Sequence, residues 1–245
     1  YRDPSDDPAL SQTERDYIAR GGAQQEGAGQ VAQGASLRYL LRQKEVWGLG
    51  IGFAAYNYSF YLLLTWLPSY LSGYLHVDMT HSILYTSVPW TFATITDLVA
   101  GGWLVNALIA RGHNPLRVRQ WVLIGGTALG LGIFGAARAQ TPAVALFWIS
   151  ISLGGLAAAA PVAWTIPSLI APRGSVGTLG AIINFGNQLS AIAAPILTAH
   201  IAEATNSFTW AFVVAAAFLL LGIAAYVFLL GRMEPIAEPP AASWT

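Results

Sequence analysis

Asn57 and Tyr61 stand four residues apart in a stretch that is otherwise mostly apolar, and Asn184, Asn187 and Gln188 stand three and four apart in another. At helical pitch each set falls on one face, with Tyr58 and Thr65 continuing the first. Amides and phenols both donate and accept hydrogen bonds. Set against hydrocarbon without partners, they would cost on the order of several kcal/mol. They must therefore turn inward, either to bonds between helices or to a water-filled cavity suited to a polyhydroxylated or carboxylated solute. Asp97, in Thr94-Ile95-Thr96-Asp97, is the only carboxylate well inside such a stretch. An ionisable group there is functional by default; it could load and release a proton, or pair with a loop arginine or a helix end for structural reasons. His200 lies near the end of its stretch and reads as a solvated helix-end residue.

Covalent and metal chemistry lack their usual parts. The chain has no HExxH helix, no GxSxG elbow, no phosphate-binding P-loop and no pair of carboxylates within an apolar stretch. It has no cysteine, which excludes disulfides, thiolate nucleophiles and iron–sulfur clusters. No enzymatic activity, cofactor or metal is expected.

The elements that must carry these residues follow from composition. Of 245 residues 55% are hydrophobic and 10% charged, and mean hydropathy is +0.52; soluble domains carry roughly 25% charged residues. Residues 1–45 are polar. Six apolar segments follow, at about 46–74, 82–110, 120–137, 143–170, 175–202 and 208–231, each near the ~20 residues that cross a bilayer. They show no period-two alternation, so helices are expected, not strands. The reading is an all-α integral membrane protein: a cytoplasmic segment 1–45, a six-helix bundle 46–231 and a tail 232–245. Eleven of the twelve basic residues fall on one side of this topology and only Arg138 on the other, which places both ends in the cytoplasm. Pro68, Pro89, Pro161, Pro167 and Pro195 lie within the spans, as in helices broken near a transported solute. Gly126 and Gly130 give a GxxxG spacing that suits close helix packing. Ahead of the bundle, Ser11-Gln12-Thr13-Glu14 fits a capping box opening a short helix to Arg20. A flexible linker, 21–34, and an amphipathic lead-in, 36–45, complete the tether.

Several segments, in order, resemble the C-terminal half of a major facilitator superfamily transporter of the anion:cation symporter family, whose members include hexuronate, galactonate, glucarate and phthalate-type permeases. Tyr1-Arg2-Asp3-Pro4 with Glu14-Arg15-Asp16-Tyr17-Ile18 is similar to the family's central loop, and Thr65-Trp66-Leu67-Pro68-Ser69-Tyr70-Leu71 to the end of its seventh helix. Gly101-Gly102-Trp103-Leu104 with Arg111-Gly112 resembles its gating-loop motif, and Asn184-Phe185-Gly186-Asn187 with Ala194-Pro195 its eleventh helix. Among the motif positions Gly102, Asn106 and Arg111, Asn106 departs from the pattern, where family members usually have Asp; the resemblance implies that the change removes a carboxylate from the helix-end charge network of the gating loop.

The resemblance implies six more helices before Tyr1, carrying the proton-coupling carboxylates and the arginine that pairs with substrate. It also implies a cavity lined here by Asn57, Tyr61, Trp164 and Asn184. Trp164 by itself reads as packing, whereas Asn187 and Gln188 enter from their spacing alone. The expectation is secondary active transport of a small organic anion, a sugar acid or an aromatic or dicarboxylic acid, coupled to H+ by alternating access in the inner (plasma) membrane. The alternative is a self-contained six-span scaffold, its polar faces satisfied internally or by self-association.

Overall fold

The computed structural model describes residues 7–20, 34–74 and 78–239. Within them every regular element is helical. Helix α1, Gln12–Arg20, opens with the expected capping box: the Ser11 backbone N–H and hydroxyl donate to Glu14 Oε2 at 2.9 and 2.7 Å, and the Glu14 N–H returns a bond to Ser11 Oγ at 3.3 Å. These bonds hold the exposed Glu14 carboxyl below its ordinary pKa. The glycines expected to end this helix, and nearly all of the linker, lie outside the described residues. The lead-in contains one turn, α2, Leu37–Leu40, whose Ser36 side chain caps the Tyr39 N–H.

Six helical columns follow. The first is α3, Lys44–Ser69, extended by a π-helical turn at Tyr70–Tyr74. In the second, α4, Met79–Thr96, passes through a π-helical stretch, Asp97–Leu104, into α5, Val105–Ala110. The third is α6, Pro115–Gly130, with α7, Ile133–Ala136. The fourth and fifth are α8, Pro142–Ile170, and α9, Val176–Thr205. The sixth is α10, Thr209–Ala224, ending in a π-helical turn at Ala225–Leu230. Starts follow local chemistry: Asn114 caps α6 through Leu116 and Arg117 N–H, Thr141 caps α8, and a proline takes the first turn of each. All five expected prolines lie inside helices.

Among the described residues five columns are long and apolar enough to cross a membrane. The sixth, α3, is long enough, at 26 residues or about 39 Å. It is not among the five, because Tyr56, Asn57, Tyr58, Ser59, Tyr61 and Thr65 dilute its apolar character.

Glycine lets the columns approach. On α6, Gly126 lies against the Gly155 carbonyl of α8, and the reciprocal position at Gly155 meets Leu129, so neither site has room for a side chain. The Gly126–Gly130 spacing thus works as packing. Columns α3 and α9 run parallel and are pinned twice: Asn57 Nδ2 donates to the Asn187 carbonyl at 2.6 Å, and Trp66 Nε1 to the Pro195 carbonyl at 3.2 Å.

The lead-in, the α8–α9 loop and the tail meet at one end. Ala35 N–H donates to Ser175 Oγ at 2.6 Å, Tyr39 hydroxyl to the Ala237 carbonyl at 2.8 Å, and Ile236 N–H to the Ile170 carbonyl at 2.8 Å. Both ends of the bundle therefore leave from the same face, as an even number of helical columns among the described residues requires. One apolar cluster, with Leu40, Ile170, Leu230 and Met233, fills this end; another, with Tyr58, Tyr70, Ile133 and Phe212, fills the rest.

Candidate functional site

Depth brings the polar residues together. Counted from the end where lead-in and tail meet, at 1.5 Å per residue, Trp164 lies about 9 Å in, Asn184 about 12 Å, Gln188 about 18 Å, and Asn57 and Asp97 about 20 Å. Tyr61 lies about 25 Å in. Four different columns thus carry polar or aromatic side chains between about 9 and 25 Å from that end.

On α3 the layer is aromatic. Trp164 of α8 meets Phe53 edge-on at 5.1 Å; Phe53 lies 5.2 Å from Tyr56, and Tyr56 stacks on Phe60 at 5.8 Å. Phe60 then meets Trp90 of α4 at 5.3 Å and Tyr61 at 5.7 Å, both edge-on. This ladder joins α8, α3 and α4, and its Trp164 end is 50% exposed. The sequence reading missed Phe53, Tyr56, Phe60 and Trp90. The spacing of the first three, i, i+3 and i+7, was the available signal.

The triplet on α9 divides. Asn184 and Gln188 are exposed, in a continuous stripe with Phe185, Leu189, Ile192 and Ile196, and no described residue bonds to either amide. Asn187 is 4% exposed and faces α3; its carbonyl accepts from Asn57, and its Oδ1 is buried without a described partner. Asn57 and Asn187 are thus committed to the α3–α9 contact, whereas Asn184 and Gln188 are free to bond elsewhere. Tyr58 does not continue the Asn57 face. One residue turns α3 by about 100°, which carries Tyr58 to α10, where it is 1% exposed and stacks on Phe218 at 4.7 Å. Thr65 is exposed, and Tyr61 is half-buried.

Asp97 is half-buried at the first residue of the π-helical stretch. Tyr56 lies within electrostatic reach of it, and no described residue hydrogen-bonds or ion-pairs with its carboxylate. A π-helical turn inserts one residue into the ladder and re-aims the side chains beside it. In the segment expected to form a gating loop the tight glycine is Gly101, set against Pro161 of α8, whereas Gly102 has room around it. Asn106 and Arg111 are exposed, without described partners. His200 is exposed, its Nδ1 3.0 Å from the Ile196 carbonyl. Among the described residues no group of three or more His, Asp or Glu is placed to hold a metal.

No family model matches the chain. Individual proteins do. The uncharacterized transporter YybO of Bacillus subtilis is 39% identical over 237 residues, 96% of this chain and 54% of that protein. A probable L-galactonate transporter of Escherichia coli K12 is 29% identical over 84% of this chain and 45% of its own length. A D-galactonate transporter of E. coli O6:H1 is 25% identical over 96% and 56%. The chain thus spans about half the length of the curated relatives it matches. Among solved structures, a peptide transporter POT in complex with sulfate superposes with a TM-score of 0.66 at 19% identity, over 80% of this chain and 41% of that one. A bacterial homologue of the iron transporter ferroportin in its outward-facing state gives 0.61 at 20%, over 87% and 51%. In sequence and again in fold, the matches cover 80% or more of this chain and about half of each transporter, so the chain is similar to about half of a curated transporter and shares the helical fold of transporter structures.

Proposed function

We propose that the chain forms one half of the cavity of a secondary transporter for small organic anions, coupled to protons and working by alternating access. The observation that carries this reading is the exposure of Asn184 and Gln188 on α9. Both lie well within a 30-residue helix, at a depth where unpartnered amides against lipid are costly. A solute-filled cavity shared with a second six-helix half satisfies them. Relatives named for galactonate, hexuronate and sulfoacetate support an anionic solute, with hydroxyl-rich sugar acids leading.

In this reading Asn184, Gln188 and Tyr61 bond to the body of the solute, and the Trp164 end of the aromatic ladder packs against its carbon face. No Lys or Arg lies well inside these spans, so the second half supplies the cation that meets the carboxylate. Gly101, Asn106 and Arg111 form the hinge and loop that close the cytoplasmic face. The concentration of basic residues at the end where lead-in and tail meet supports a plasma-membrane protein with both ends cytoplasmic.

The test is uptake of labelled D-galactonate by the chain joined to its N-terminal half in cells lacking their own carrier. Asn184→Ala is expected to lower uptake efficiency about tenfold, the loss of one bond to an anionic ligand, with membrane abundance unchanged. Unchanged uptake removes Asn184 from the site. Uptake that persists undiminished after a protonophore overturns the proton coupling.

A further inference from the structure

A second constellation lies outside the polar layer. Between α6 and the column of α10 is a cavity of about 420 Å3 lined by Arg117, Gln120, Trp121, Ile124, Val227 and Arg232. Arg117, Trp121 and Ile124 recur at i, i+4 and i+7, so α6 presents a guanidinium, an indole and an aliphatic side chain on one face, in order of increasing depth. The opposite wall is set by the tail. Gly231 and Met233 both have positive φ, 57° and 56°, and Gln120 Nε2 holds the Gly231 carbonyl at 2.6 Å. This turn buries Met233 and leaves Arg232 exposed at the cavity.

No carboxylate lines the cavity, and no described residue bonds to or ion-pairs with either guanidinium. Two unneutralised cations thus share one concave site whose inner wall is apolar. Trp121 is 77% exposed, one turn past Arg117, the position of an indole at a membrane interface. The same helix pair forms a cavity of about 340 Å3 nearer its other end, lined only by Leu131, Phe134, Val213, Ala216, Ala217 and Leu220. Of the two cavities between these columns, only the one at Arg117 and Arg232 carries charge.

We propose that the Arg117–Arg232 cavity holds the phosphate of an anionic phospholipid, with an acyl chain laid along Trp121, Ile124 and Val227. Guanidinium groups bind phosphate through paired N–H donors, and basic pockets between membrane helices on the cytoplasmic side recognise such headgroups. A free phosphate would use the arginines but not the apolar wall, so the lipid is the occupant that accounts for five of the six lining residues, the sixth, Gln120, being bonded to the Gly231 carbonyl. Because the tail makes one wall, the bound lipid also ties the last helix to α6.

The experiment is native mass spectrometry of the purified protein with phosphatidylglycerol and with phosphatidylcholine of the same acyl chains. The wild type is expected to retain phosphatidylglycerol preferentially. Each arginine contributes about fivefold, so R117Q/R232Q is expected to lower that affinity by about 25-fold and leave phosphatidylcholine unchanged. R119Q, which removes a neighbouring cation bonded to the Pro115 carbonyl, is expected to keep the preference. Val227→Trp, which obstructs the apolar wall with both arginines in place, is expected to lose the lipid and covers the case in which the double variant does not fold. The proposal is overturned by equal retention of the two lipids in the wild type, by retained preference in R117Q/R232Q or Val227→Trp, or by an equal loss in R119Q. Displacement of phosphatidylglycerol by millimolar inorganic phosphate overturns it in favour of a free-anion site.

Discussion

Asn57→Ala separates a residue that holds helices together from one that meets a solute. The Asn57 amide donates to the Asn187 carbonyl at 2.6 Å across the α3–α9 contact. Hydrogen bonds between membrane helices contribute about 0.6 kcal/mol on average and up to about 1.7. A bond this short, half-shielded between two helices, belongs in the upper part of that range. Truncation also leaves a small void beside Asn187, whose own Oδ1 already lacks a described partner. The expected loss is therefore about 1.5 kcal/mol, or a fall in Tm of roughly 3–6 °C for a chain of this size. Asn184→Ala removes an exposed amide and is expected to stay within about 0.5 kcal/mol of wild type, despite its proposed effect on uptake. Thermal unfolding of the two variants in one detergent, followed by tryptophan fluorescence, gives the comparison. Equal stability of Asn57→Ala and wild type would show that the α3–α9 bond contributes nothing. A larger fall for Asn184→Ala would reverse the two assignments.

Other consequences follow from particular contacts. Gly126→Leu drives a side chain into the Gly155 carbonyl of α8; a loss of about 3 kcal/mol is expected, the upper end of the usual range for overpacking, read as loss of folded protein in gel filtration in detergent. Ser175→Ala leaves the buried Ala35 N–H without its acceptor, so a loss of about 1–3 kcal/mol and faster proteolysis of the lead-in are expected. Glu14 has its carboxyl pKa lowered by the Ser11 bonds. Its stabilisation of α1 is thus fully present above the ordinary carboxylate value and disappears as pH falls through the depressed one. Amide exchange across residues 12–20 is expected to accelerate over that window, and Ser11→Ala should weaken the pH dependence, leaving only the backbone N–H bond to Glu14.

What the sequence determined by itself was the set of one-dimensional properties. Segment lengths and apolar content yielded the helical columns, because a bilayer imposes a length and leaves backbone groups no partner outside the helix. The capping box at Ser11–Glu14 was equally legible, since it acts within four residues. Basic residues sorted to one side predicted that both ends leave together, which the Ala35–Ser175 and Ile236–Ile170 bonds reproduce. Periodicity placed Asn57 with Asn187 among polar residues that must turn inward, but it could not say toward what. That choice belongs to tertiary structure: α9 lies against α3, so the Asn57 amide donates to the Asn187 backbone carbonyl and the Asn187 side chain is buried at the contact, while Asn184 and Gln188 look away and stay free. The same rotation of about 100° per residue sent Tyr58 to Phe218 and left Trp164 at the open end of an aromatic ladder. The cavity of Arg117 and Arg232, more than a hundred residues apart, exists only because α6 and the turned tail meet. Local pattern fixes which residues must be satisfied; only the packing of distant helices decides by whom.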